Sequence, residues 1–189
     1  MEPVFTLPYS EYCVAQRLRS LLPPAEGYSL LVPLSRQEKG VDLVLSQRQD
    51  RTRAVTIQVK SSRTYSSPPP ARKSTRRFRY ATWLKTFECP TQADFVCIVS
   101  LYPARDAEER RELATWWAPV ILLFTQAEMR EFLAGVKTVG GKRDRMFGFG
   151  FDRAGEVFQT RGDPKRSCRE LSHHLLESRV DLLRAALRR

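Results

Sequence analysis

Three side chains of this sequence could do chemistry together: Asp42, Gln58 and Lys60. Two apolar runs, 41–45 and 54–59, flank a polar stretch from Gln47 to Arg53. That pattern predicts two strands joined by a turn. In the second run Val55, Ile57 and Val59 alternate with Thr56, Gln58 and Lys60, so Gln58 and Lys60 share a face at the strand's end. In an antiparallel hairpin the start of one strand lies beside the end of the next, which brings Asp42 to them. A carboxylate and an amide oxygen beside an ammonium suit a hard cation such as Mg²⁺, which takes oxygen ligands and keeps several waters. A lysine there can orient an attacking water and offset charge developing on a phosphate. The plainer alternative for Lys60 is a solvated strand end.

Charge points to the same partner. The net charge is +11 and the pI is near 10.0. Ten Lys or Arg and no acid lie between Asp50 and Glu88. The excess is therefore local, as a polyanion-binding patch requires. Within it, 61–79 reads as a Pro- and Ser-rich loop without regular structure. Arg63, Arg72, Lys73, Arg76, Arg77 and Arg79 are its candidate DNA contacts, because the loop leaves directly from Lys60. A solvated face is the alternative. Tyr65, Phe78, Tyr80 and Trp83 are interleaved and read as packing residues ahead of base-stacking platforms.

These residues need a scaffold. Ser10 is the expected N-cap of a helix that Pro23-Pro24 ends, with Val14, Leu18, Leu21 and Leu22 as its buried stripe. Glu11 faces the same side. It is either a first-turn acid favoured by the helix dipole or a carboxylate aimed at the Asp42 cluster. A strand over 28–34 precedes the one bearing Asp42. Residues 93–101 predict a central apolar strand, and 103–114 an exposed connection with some helix. Trp116 and Trp117 are expected core anchors before a strand over 120–124. Thr125 and Glu128 form a capping-box pattern, opening a crossover helix that Gly135 ends. That order implies an α/β sandwich.

Beyond it lies a glycine-rich basic loop, 135–145, whose Lys142 and Arg143 are either auxiliary DNA contacts or solvated. Its spacing is not that of a phosphate-cradling P-loop. A hairpin is expected around 152–155. A last helix, capped by Ser167 with Glu170, puts Leu176, Val180, Leu183 and Leu187 on one face. It covers the sheet or pairs with a partner subunit. His173 and His174 make a poor ligand pair on its polar side. We divide the chain into a core, 1–135, and a C-terminal hairpin and helix, 136–189, packed on the same domain.

Asp42 followed by Gln58-Val59-Lys60 resembles the signature of the PD-(D/E)XK nuclease superfamily, with Val41-Asp42 in place of Pro-Asp and Gln58 in place of the usual acid. The resemblance covers roughly 10–130, and the Gln variant resembles the branch of intron-encoded homing endonucleases and related small bacterial nucleases. It implies a restriction-endonuclease-like α/β fold, a mixed central sheet flanked by helices. It implies Mg²⁺, with Mn²⁺ as a substitute, held by Asp42, Gln58, the carbonyl of Val59, and Glu11 from the first helix. Lys60 completes the catalytic set. It also implies duplex DNA as substrate, and a homodimer or homotetramer.

The expected activity is metal-dependent hydrolysis of DNA phosphodiesters. The alternatives are a DNA-binding module of the same fold that has lost its chemistry through Gln58, and a basic RNA-binding protein. Cys13, Cys89, Cys97 and Cys168 are far apart in sequence, so reduced thiols are expected in place of a zinc site. No apolar run approaches the ~20 residues of a membrane helix. The proline-broken, early-acidic N-terminus is unlike a signal peptide. Both point to the cytoplasm.

Overall fold

The computed structural model describes residues 8–33, 40–48, 52–66, 78–103, 117–152, 155–165 and 167–188. Its elements are α1 (Tyr9–Leu21), β1 (Tyr28–Leu31), β2 (Leu43–Arg48), β3 (Thr52–Ser61), β4 (Thr64–Ser66), β5 (Tyr80–Lys85), β6 (Phe95–Pro103), β7 (Trp117–Thr125), α2 (Gln126–Ala134), β8 (Met146–Phe151), β9 (Val157–Arg161) and α3 (Val180–Arg188). They build a mixed α/β molecule with two sheets. The first has the order β1-β2-β3-β6-β7 and the second β4-β5-β8-β9. In the first, β1, β2 and β3 are antiparallel neighbours, β6 is parallel to β3, and β7 is antiparallel to β6.

Alternation along the strands explains the layers. Val55, Ile57 and Val59 of β3 and Cys97 and Val99 of β6 turn to one face, where Val14 and Leu18 of α1 and Leu183 and Leu187 of α3 cover them. Val96 and Ile98 turn the other way, against Phe147, Phe149 and Phe151 of the second sheet. A leucine fully buried in this way contributes about 1.5–3 kcal/mol. The two sheets and the two helices thus make three layers around two apolar cores.

Several expectations change. Residues 64–66, expected inside a loop, form β4, because Thr64–Ser66 pairs with β5. Trp117, expected in the core, is 47% exposed at the start of the edge strand β7; Trp116 lies outside the described residues, as do 104–116 as a whole. Helix α1 begins at Tyr9 with Pro8 at the cap, which places Ser10 within the first turn. Proline suits a pre-helical position because it lacks an N–H and fixes its φ.

The capping box of α2 is present as expected. The helix does not return to the first sheet, however. It carries the chain from β7 to β8 in the second sheet. Nor does Ser167 open a helix. Its amide and hydroxyl both donate to Asp163, at 2.8 and 2.7 Å. The following backbone runs along β9, with Gln159 donating to the Arg169 carbonyl and Leu171 to that of Val157. Two 3₁₀ turns, Ser172–His174 and Leu176–Arg179, then lead into α3. Leu176, Leu183 and Leu187 are buried against the first sheet as their spacing predicts. All four cysteines are free thiols, three of them buried. No helix among the described residues is long and apolar enough to cross a membrane.

Candidate functional site

The register of the β2–β3 hairpin sets Leu43 opposite Ile57, so Asp42, one residue before β2, falls beside Gln58. Its amide donates to the Ile57 carbonyl at 2.9 Å. Its carboxylate oxygen Oδ2 accepts from the Val59 amide at 2.6 Å and from Nε2 of Gln58. The β2 ladder has ended here, and the Asp42 carboxylate takes the place of the next backbone carbonyl. Along a β-strand the N–H and C=O of one residue point to the same side, so the Val59 carbonyl is turned toward Asp42 as well. Gln58 is 4% exposed; an amide so buried needs a hydrogen-bond partner, and Asp42 supplies it.

Lys60 follows on the same face as Gln58 and is half-buried. Its ammonium lies 5.7 Å from the centroid of the Phe87 ring, within cation–π range. Nothing in the spacing of the sequence links Phe87 to Lys60; Phe87 packs against the core between the two sheets. Glu11 stands apart. It lies in the first turn of α1 and is half-buried. But α1 packs on the face of Val55, Ile57 and Val59, opposite to that of Gln58 and Lys60. The structure therefore joins Asp42, Gln58 and Val59, sets Lys60 beside them, and puts Glu11 in another layer.

Among the described residues, no three His, Cys, Asp or Glu side chains gather as a metal-holding group. The contacts made at Asp42 come from two N–H donors, the Gln58 side-chain amide and the Val59 backbone amide. A hard cation here would take the carboxylate, the Gln58 amide once turned to present its oxygen, and the Val59 carbonyl. Oδ1 of Asp42 lies free of the Gln58 and Val59 bonds, and the Gln58 amide carries donor and acceptor on one rotor. Cys97 pairs in register with Val59. Burial first, and the Asp42 charge second, push its thiol up to about 12. Without a metal, burial thus holds the Cys97 thiol in its neutral form.

Of the predicted DNA contacts, Arg63, Arg79, Lys142 and Arg143 are exposed. Arg72, Lys73, Arg76 and Arg77 lie outside the described residues.

A second polar cluster was not foreseen. Arg179 grips Glu128 through two hydrogen bonds, 2.6 and 2.8 Å, and also donates to the Leu123 carbonyl at 3.0 Å. Its Nη1 lies 2.6 Å from Nδ1 of His174, whose ring stacks on Phe124 with centroids 4.1 Å apart. Burial, then the positive charges of His173 and Arg179, bring His174 down to about 4. Burial opposes ionisation of Glu128, yet hydrogen bonds from Arg179 and Thr125, with the Arg179 charge, hold it at about 2. Comparison of the chain with protein-family models, curated proteins and solved structures gives no match.

Proposed function

We propose that this protein is a metal-dependent endonuclease that hydrolyses phosphodiesters of duplex DNA. The observation that carries the reading is the contact of the Asp42 carboxylate with Gln58 and Val59 at the end of a central strand, with Lys60 next in line. The helix–strand–strand–strand order and the mixed sheet agree with the restriction-endonuclease-like core that the resemblance implies. The local run of positive charge supplies the attraction for a polyanion.

Asp42, the amide oxygen of Gln58 and the Val59 carbonyl would hold Mg²⁺ or Mn²⁺; Glu11, the further carboxylate that the resemblance assigns, lies in another layer and is left out of this set. Bound there, the ion supplies a polarised water and a counter-charge for the phosphate. Lys60 orients the attacking water and offsets charge on the phosphate. Phe87 confines its ammonium, and Arg63 and Arg79 hold the DNA backbone. With one carboxylate in contact, the cation is held weakly and millimolar metal is required.

Lys60→Ala is expected to lower nicking of supercoiled DNA at least 100-fold, the scale of losing a preorganised charge, while gel shifts stay unchanged. Asp42→Asn is expected to remove Mn²⁺ binding in calorimetry. Unaltered cleavage by Lys60→Ala would remove the lysine from the mechanism. A second reading, a DNA-binding module without chemistry, draws support from the Gln58 amide nitrogen resting on Asp42 and from the burial of Gln58. DNA binding without metal binding or cleavage would select it. Duplex cleavage by this class calls for two sites, so sedimentation with DNA is expected to give a dimer or tetramer.

A further inference from the structure

The second sheet has an outer face that the nuclease reading does not use. On β8 the three phenylalanines point inward, while Gly148 and Gly150 lie on the outside with Ala81 and Trp83 of β5 beside them. The glycines have a steric purpose. A Cβ at Gly148 would collide with the Trp83 ring, and one at Gly150 with the Phe78 ring. Trp83 therefore lies flat on the sheet. Tyr65 of the edge strand β4 packs against it in a tilted pair, with centroids 4.8 Å apart and rings inclined by 34°. Tyr65 is itself 42% exposed. A supported aromatic ring thus stands open at the sheet's edge.

Its surroundings are basic. Arg63, two residues before Tyr65, and Arg79 and Lys85, at the two ends of β5, are exposed, in the stretch that has no acid between Asp50 and Glu88. Asp152, the carboxylate at the far end of β8, accepts from the Arg79 amide at 2.6 Å. We infer that Tyr65, backed by Trp83, is a stacking platform for an unpaired base of a DNA strand, with the basic side chains on its backbone. A flat π-face among cations fits an unpaired nucleotide, which can offer its base to a side chain. Paired bases in a duplex are stacked on one another and cannot do so. Tyr65 follows Lys60 by five residues, at most about 17 Å of chain. The inference rests on the proposed reading for its partner, DNA, but not for its chemistry.

The test is fluorescence anisotropy in EDTA, with labelled poly-dT and a labelled blunt duplex, on the full chain. Tyr65→Leu keeps Trp83 covered and removes the π-face. It is expected to bind poly-dT about tenfold more weakly, within the range for one base–aromatic stack, and the duplex as before. Tyr65→Phe is expected to bind both as wild type. Thermal melting checks that the variants are folded. Equal binding of poly-dT by wild type and Tyr65→Leu overturns the platform. So does equal loss on both DNA forms, and so does absence of poly-dT binding by the wild type. If poly-dT behaves as expected while the wild type neither binds metal nor cuts, the nuclease reading fails and the platform stands.

Discussion

Two carboxylates, Glu128 in the first turn of α2 and Asp42 just before β2, are treated in opposite ways. Glu128 meets a guanidinium in a two-pronged contact, together with the Thr125 amide at 2.8 Å. Its charge is cancelled where it stands. Asp42 meets, among the described residues, only neutral donors: a side-chain amide and a backbone amide. Its hydrogen bonds are met but its charge is not. The first arrangement is a clasp, which ties the C-terminal segment to the start of α2. The second leaves the Asp42 carboxylate with two neutral donors, Gln58 and Val59, which precede the lysine in the strand. On the proposed reading, the difference separates a carboxylate that holds structure from one that is kept for a ligand.

The sharpest way to break this contrast is Gln58→Glu, which sets a second carboxylate against Asp42. Without metal the two acids repel, and the lost hydrogen bond adds to the cost. Urea unfolding should show about 2 kcal/mol less stability. Mn²⁺ should then bind on the order of tenfold more tightly, since hard-cation affinity follows ligand charge, and should restore the stability by mass action. A variant destabilised and not rescued by metal would make Asp42 a mere cap of the β3 edge.

The clasp predicts a purely structural response. Arg179→Met removes the counter-charge of Glu128 and should lower stability by about 2 kcal/mol, the range for hydrogen bonds to charged groups. Calorimetric metal binding at Asp42 should not change. A loss of metal affinity in this variant would show that the two regions are coupled.

The smallest effect is a slope with pH. Both Glu128 and His174 have folded-state values below their ordinary ones. Each therefore adds stability above its unfolded value, and that stability drains as pH falls through the folded value. For His174 the window runs from 6.5 down to about 4, and for Glu128 from 4.5 down to about 2. His174→Gln should flatten the upper window and leave the lower one, in unfolding measured across that range. An unchanged slope between 6.5 and 4 would show that His174 does not carry it.

Much of the Asp42 region is legible in the sequence because its signals are local. Alternation over 54–59 puts Gln58 and Lys60 on one face, and a short turn leaves one antiparallel register that brings Asp42 alongside. The capping box of Thr125 and Glu128, and the β8–β9 hairpin, are equally local and form as read. Glu11 was not placed by the same means. Helical period says that it faces inward, but not which side of the sheet receives α1.

The sequence by itself therefore settled which residues pair across a single hairpin, up to the separation of 16 between Asp42 and Gln58, since backbone geometry repeats every two residues in a strand and every three to four in a helix. Tertiary structure alone decided the rest. It joined β5 to β8 across some sixty to seventy residues, turned Glu128 into the partner of Arg179 at a separation of 51, and laid Phe87 under Lys60. Such choices depend on which buried surfaces fit each other and which charges find partners once the layers close. No local pattern encodes that competition.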